Sequence, residues 1–183
     1  EMCIRDSEHA NRYRHNDGRL LAAHEHIYMP MIDTAEIVAK RYKISRDRQD
    51  EYALQSQQRT ASGQKNRKFD DEIVPLASNK SVIDRETGII SFEDVMLEKD
   101  EGNRADTTIE GLSSLKPIKD DGFITAGNAS QLSDGASASV VMEAHMAEKK
   151  GLNPLGIYRG TAVAGCEPDE MGIGPIFAVP KLL

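Results

Sequence analysis

The chain has 183 residues, of which 39% are hydrophobic, 29% charged and 5% aromatic, with no Trp. That balance fits a soluble globular chain of one ordinary domain or two small ones, with a core of Ala, Val, Ile, Leu and Met. A formal charge of −7 argues against nucleic-acid binding through a broad basic surface, yet a few local cations could still hold an anionic small ligand.

In chain order, the first stretch to account for is Glu1-Met2-Cys3-Ile4-Arg5-Asp6-Ser7. It resembles the translation of a transposon-end sequencing adapter, GAG ATG TGT ATA AGA GAC AGC, and is expected to be a scar outside the fold. Cys3 then takes no function. Cys3 and Cys166 are too far apart in sequence to form a disulfide framework and make no CxxC pair, so a reducing cytoplasm is the expected location. The start is polar, and no apolar run is long enough to span a bilayer, so no membrane partner is expected. Residues 8–30 read as irregular loop with one short helix. His9, His15, His24 and His26 match no zinc spacing, so no metal site is expected.

Ala35, Val38, Ala39 and Tyr42 form one helical stripe, which predicts a helix from Thr34 to Tyr42 capped by Asp33 or Thr34. A second helix is predicted from the cap Ser45 toward Arg67, with the small face Ala53, Ser56, Thr60 and Gly63. Residues 77–97 alternate around Gly88 and predict a hairpin. Thr107 or Thr108 caps a short helix that ends before Pro117. Val140-Val141-Met142 predicts a buried strand, and Glu143 to Lys150 a helix closed by Gly151. Gly156 to Gly165 predicts another strand, followed by a glycine-bearing loop, Met171 to Pro175. A last helix is predicted to open near Ala178 with Pro180 in its first turn. It stops within its first turns at Leu183, so the chain is expected to be an internal fragment.

Small residues crowd Thr125 to Gly135. Such a run lets a backbone approach a ligand closely and offer its amides, but on composition alone a tightly packed loop between two elements is the favoured reading.

At this point an ordered set of motifs bears on function. It comprises Met31-Ile32-Asp33-Thr34-Ala35-Glu36, Ile44 to Asp50, Ser56-Gln57-Gln58-Arg59 and Phe69 to Pro75. It continues through Asp100-Glu101-Gly102-Asn103-Arg104, Leu115-Lys116-Pro117, Thr125 to Ser130, Asp134-Gly135-Ala136 and Met171 to Pro175. Together they resemble the thiolase family, over about Glu8 to Leu183. The resemblance implies an α/β, thiolase-like fold that is only partial here: the loop domain, the end of the N-terminal core half and the start of the C-terminal core half. Residues 8–131 would be most of the loop domain, 132–154 would finish the first half and 155–183 would begin the second.

The resemblance also implies acyl-CoA or coenzyme A as substrate, with no separate cofactor, and a dimer or tetramer of the full-length protein. Carried over by position, Arg104 lies against the nucleotide end of coenzyme A, where a planar guanidinium suits both adenine and phosphate. Ala126, Gly127 and Ser130 follow the pantetheine arm, and Met31 lines the acyl end. Pro30, Ile32, Gly111 and the shortened Lys116–Asp120 stretch depart from the biosynthetic pattern and point toward a degradative or broad-specificity branch.

Thiolase chemistry takes the acyl group on a cysteine thiolate, with a histidine and a second cysteine moving protons. None of the three is matched here, so no catalytic residue is assigned and the fragment is expected to be inactive. Cys166 matches no catalytic position and adjoins Glu167, so it reads as structural, and His145 reads as a surface residue. A competing reading is a thiolase-like, non-catalytic acyl-CoA or lipid-binding protein of the sterol-carrier type. A blander one is a helical interaction domain.

Overall fold

The computed structural model describes residues 16–131 and 136–183, so residues 1–7, His9 and His15, and the 132–135 part of the small-residue run lie outside it. The described residues divide into two compact units. One holds residues up to 45, 121–124 and 136–183; the other holds 46–120 and 125–131.

In the first unit, α1 (Gly18–Ala23) is the short helix expected within 8–30. Asp17 caps it by accepting the Arg19 amide at 2.8 Å. The Arg19 guanidinium and amide together hold the Asp17 carboxyl below the usual carboxylate range. Next, α2 (Met31–Arg41) starts earlier than its stripe predicts. Asp33 and Thr34 are therefore inside the helix and not its caps. Pro30 precedes the first turn, and its carbonyl takes the Asp33 amide at 2.9 Å. Thr34 is buried, with its hydroxyl donating to the Met31 carbonyl at 2.7 Å. The helix closes with the Ile44 amide on the Ala39 carbonyl at 2.8 Å and Lys43 at a φ of 53°. That left-handed position ordinarily favours glycine.

α2 packs on a 3₁₀ helix, Pro168–Ile173, burying Ala39 and Ile173. The pair is fastened by Arg41, 2.6 Å from Asp169 and 2.5 Å from Glu170, while the Tyr42 hydroxyl donates to Glu170 at 3.0 Å. The hydrogen-bonded Arg41 guanidinium holds the Asp169 carboxyl below its usual 3.8. A depressed carboxylate stabilises the fold above its ordinary value and loses that contribution as pH falls through the folded value. The gap in urea midpoint between the chain and Arg41→Ala is thus expected at neutral pH and to close below pH 3.8. An unchanged gap in acid would refute the ion pair as its source.

Further along the chain, beyond four elements of the second unit, the first unit carries α5 (Ala144–Lys149). Glu143 caps it and Gly151 follows at a φ of 65°, matching the sequence reading. Its last helix, α6 (Gly174–Leu182), opens earlier than expected, because Pro175 rather than Pro180 occupies the first turn; Pro180 sits inside. The expected glycine loop at 171–175 is instead the end of the 3₁₀ helix and the start of α6. The two strands expected at 140–142 and 156–165 do not form. Val140 and Val141 are each 84% exposed and Val163 83%. A strand needs a ladder partner, and none of the described residues supplies one.

In the second unit, α3 (Arg46–Lys65) follows Ser45 as expected. Of its small face, Gly63 is buried, where an added Cβ would stand 2.8 Å from the Phe69 ring. The hairpin pairs β1 (Leu76–Ile83) with β2 (Ile90–Leu97) antiparallel, from Leu76 opposite Leu97 to Ile83 opposite Ile90. Gly88 turns the loop at a φ of 70°, and Asp84 accepts the Glu86 and Thr87 amides. Finally α4 (Ile109–Ser113) is capped by Thr108, not Thr107, and packs on α3 with Leu112 buried.

Candidate functional site

Two segments of the second unit carry most of the sequence-predicted site residues. The first is a corner at 100–104. Asp100 takes the Gly102 amide on its own side chain at 3.0 Å, and its carbonyl accepts the Gln64 side chain of α3 at 2.9 Å. The Gln57 side-chain oxygen, also on α3, accepts the Asn103 side-chain amide at 2.7 Å and the Arg104 backbone amide at 2.9 Å. The Arg104 carbonyl accepts the Thr107 amide at 3.1 Å and its hydroxyl at 2.7 Å. Arg104 is thus fixed through its backbone on both sides. Its side chain is exposed and forms no ion pair among the described residues, not even with the neighbouring Glu101 or Asp106.

The second segment is the loop at 125–131. Thr125 is fully buried, and its hydroxyl accepts the Gly127 and Asn128 amides at 3.2 and 3.3 Å. Its carbonyl accepts the Ala129 amide at 3.0 Å, and its own amide is taken by the Asn128 side chain at 2.8 Å. The loop therefore spends most of its amides on itself, as the packed-loop reading of its composition expects. Among the described residues the amides left over in 125–130 are those of Ala126 and Ser130, both exposed. Gly127 lies against α4, where an added Cβ would meet Leu112 at 2.5 Å and Leu115 at 2.6 Å.

Corner and loop are joined, since the Gln131 side chain donates to the Gly102 carbonyl. The structure thereby ties the corner that carries Arg104 to the end of the loop that carries Ala126, Gly127 and Ser130. Met31, the remaining site residue, lies in the first unit at the start of α2 and is 48% exposed.

Behind the loop stands an ionic support. Asp50 is completely buried, accepting Arg46 Nε at 2.7 Å and the Asn128 side chain at 3.0 Å. Arg46 also donates to the Leu112 and Leu115 carbonyls at 2.7 and 3.1 Å. In the first unit, the Glu36 carboxylate gathers the Phe123 amide on both oxygens, at 3.0 and 2.9 Å, and the Ile124 amide at 2.9 Å. These residues lead directly into Thr125. Sequence reasoning gave Gln57 and Asn103 no role of their own and Glu36 and Asp50 only a favourable charge near a helix start, because nothing local marks a polar side chain that bonds backbone 47 or 87 residues away.

Cys166 is partly buried beside the Glu170 and Met171 carbonyls, 3.9 and 4.0 Å from its sulfur, and has no histidine partner among the described residues. His145 is a surface residue 3.6 Å from Glu148. Among the described residues no three His, Cys, Asp or Glu side chains gather as metal ligands, and no helix is long and apolar enough to cross a membrane.

The profile of the thiolase N-terminal domain matches residues 4–145. The chain belongs to the thiolase family. It is 45% identical over 169 residues to the acetyl-CoA acetyltransferase of Chromobacterium violaceum, covering 92% of this chain and 40% of that protein. To rat peroxisomal 3-ketoacyl-CoA thiolase B it is 47% identical over 156 residues, covering 85% of this chain and 36% of the relative. The crystal structure of the Bacillus anthracis acetyl-CoA acetyltransferase superposes with a TM-score of 0.71 at 42% identity, covering 82% of this chain and 36% of that one. The mixed helix and strand elements are accordingly a partial thiolase-like fold, and the chain spans 36 to 40% of the length of these relatives.

Proposed function

We propose that the chain is the coenzyme A-holding part of an acyl-CoA C-acyltransferase, a thiolase that condenses or thiolyses 3-oxoacyl-CoA through a cysteine thioester. The observation that supports this best is the joined corner and loop. An unpaired guanidinium stands on a backbone fixed at both ends, tied to a loop with two exposed amides left over. That is chemistry for a long ligand with an anionic end and an amide-bearing arm. Arg104 takes the nucleotide end and Ala126, Gly127 and Ser130 the pantetheine arm; Met31, in the first unit, is assigned to the acyl end by the family resemblance alone.

In this reading residues 8–131 are most of the loop domain, 132–154 complete the first core half and 155–183 open the second. The nucleophilic cysteine, the histidine and the second cysteine lie outside these residues. The isolated setting of Cys166 supports that, and the chain alone is inactive. The complete protein is a cytoplasmic dimer or tetramer whose coenzyme A thioester is substrate rather than cofactor. The peroxisomal 3-ketoacyl-CoA thiolases among its relatives favour a degradative direction.

The test is calorimetric titration of the chain with coenzyme A and with pantetheine, which lacks the nucleotide. Charge-assisted hydrogen bonds contribute about 1.5–3 kcal/mol, so Arg104→Ala is expected to weaken coenzyme A about tenfold or more. Pantetheine should bind both forms alike. If Arg104→Ala binds coenzyme A as the parent does, the assignment fails.

A further inference from the structure

We propose that Gln57 is a positioning residue for coenzyme A recognition, acting through Arg104; the proposal rests on the coenzyme A reading above. Gln57 is half-buried near the middle of α3, so its own backbone is held by the helix. One oxygen of its side chain accepts two donors from the corner, Asn103 Nδ2 and the Arg104 amide. Asn103 Nδ2 also donates to the Gln57 backbone carbonyl at 2.9 Å, so the two residues clasp each other. The clasp fixes the direction in which the Arg104 side chain leaves the backbone, while the Thr107 hydroxyl and amide hold the carbonyl side.

An exposed Arg carries a large rotamer entropy, and a wandering backbone beneath it would add to the cost of capturing a phosphate. A backbone fixed in advance removes that part of the cost. Gln57 itself touches no ligand in this scheme. It sets where the guanidinium stands, and it does so only for the nucleotide end.

That limit gives the test its discriminating readout. Gln57→Met keeps length and helix propensity but removes the acceptor; Gln57→Glu keeps an acceptor. Each is made in the 183-residue chain and titrated with coenzyme A and with pantetheine, with far-UV circular dichroism to confirm the fold. Gln57→Met is expected to weaken coenzyme A about fivefold to tenfold, a loss of pre-organisation, while pantetheine binds unchanged. Gln57→Glu is expected to retain most of the affinity lost in Gln57→Met.

Equal weakening of both ligands, or loss of the folded spectrum in Gln57→Met, would make Gln57 an ordinary structural residue and overturn the proposal. So would unchanged coenzyme A binding in Gln57→Met when Arg104→Ala has lost it. If Arg104→Ala loses nothing, the coenzyme A reading itself has failed, which is a separate result.

Discussion

Asp50→Ala is expected to cost about 3–5 kcal/mol, the usual penalty for removing one partner of a buried ion pair. Asp50 has no exposed surface, and both of its carboxylate oxygens are in use, one by Arg46 and one by Asn128. Without it the Arg46 cation keeps the Leu112 and Leu115 carbonyls, and the Asn128 side chain loses its bond to the buried carboxylate. Asp50→Asn preserves the shape and should cost less. Stability of a domain is typically only about 5–15 kcal/mol, so the alanine variant would stand near unfolding. Urea titration followed by circular dichroism reads this directly. A shift worth under about 1 kcal/mol would show that the pair is no more than the median exposed one.

The Glu36 clamp has the second-largest expected effect. Its carboxylate is the acceptor for two consecutive amides, Phe123 and Ile124, at the entrance to the Thr125 loop. Glu36→Ala removes the carboxylate acceptor from both half-buried amides, at about 1–3 kcal/mol for a donor such as Ile124 N–H left unsatisfied. Glu36→Gln is expected to fall between, since its remaining oxygen can serve the amides while its new NH₂ faces them as a second donor. Hydrogen exchange is the local readout, with faster exchange at Phe123 and Ile124 in the alanine variant. Unchanged exchange there would mean that water substitutes for the carboxylate without loss.

Much of the local structure was legible because it depends on neighbours in sequence. The helix carrying Ala35, Val38 and Ala39, the turn at Gly88 and the Gly151 closure of α5 appeared where their patterns put them, although Tyr42, the last of that stripe, is the exposed C-cap. Element ends were less legible. Thr34 and Asp33 are good cap residues by type, yet Pro30 lets α2 begin before them, and Pro175 likewise brings α6 forward. The apolar runs at 140–142 and 156–165 carry strand propensity, but propensity cannot make a ladder without a neighbour.

The site divides in the same way. Arg104 and the 125–130 segment could be found through the ordered family motifs, whose residues are local. Gln57 lies inside one of those quoted motifs, yet its bond to Arg104 exists only in the folded chain. The crowding of small residues favoured a tightly packed loop, and the loop is tightly self-bonded. It could not reveal that Thr125 and Asn128 would absorb most of the amides.

The exposed apolar stretches around Val140, Val141, Ile157 and Val163 have a practical consequence for anyone purifying this chain. Among the described residues these stretches join no strand ladder, and apolar backbone outside any ladder is a template on which another copy can add itself. Hydrophobic side chains on such a template favour sticking over reversible contact. Solutions of the chain should therefore cloud with rising concentration and with time, and a Lys placed at Val141 or Val163 should keep them clear for longer.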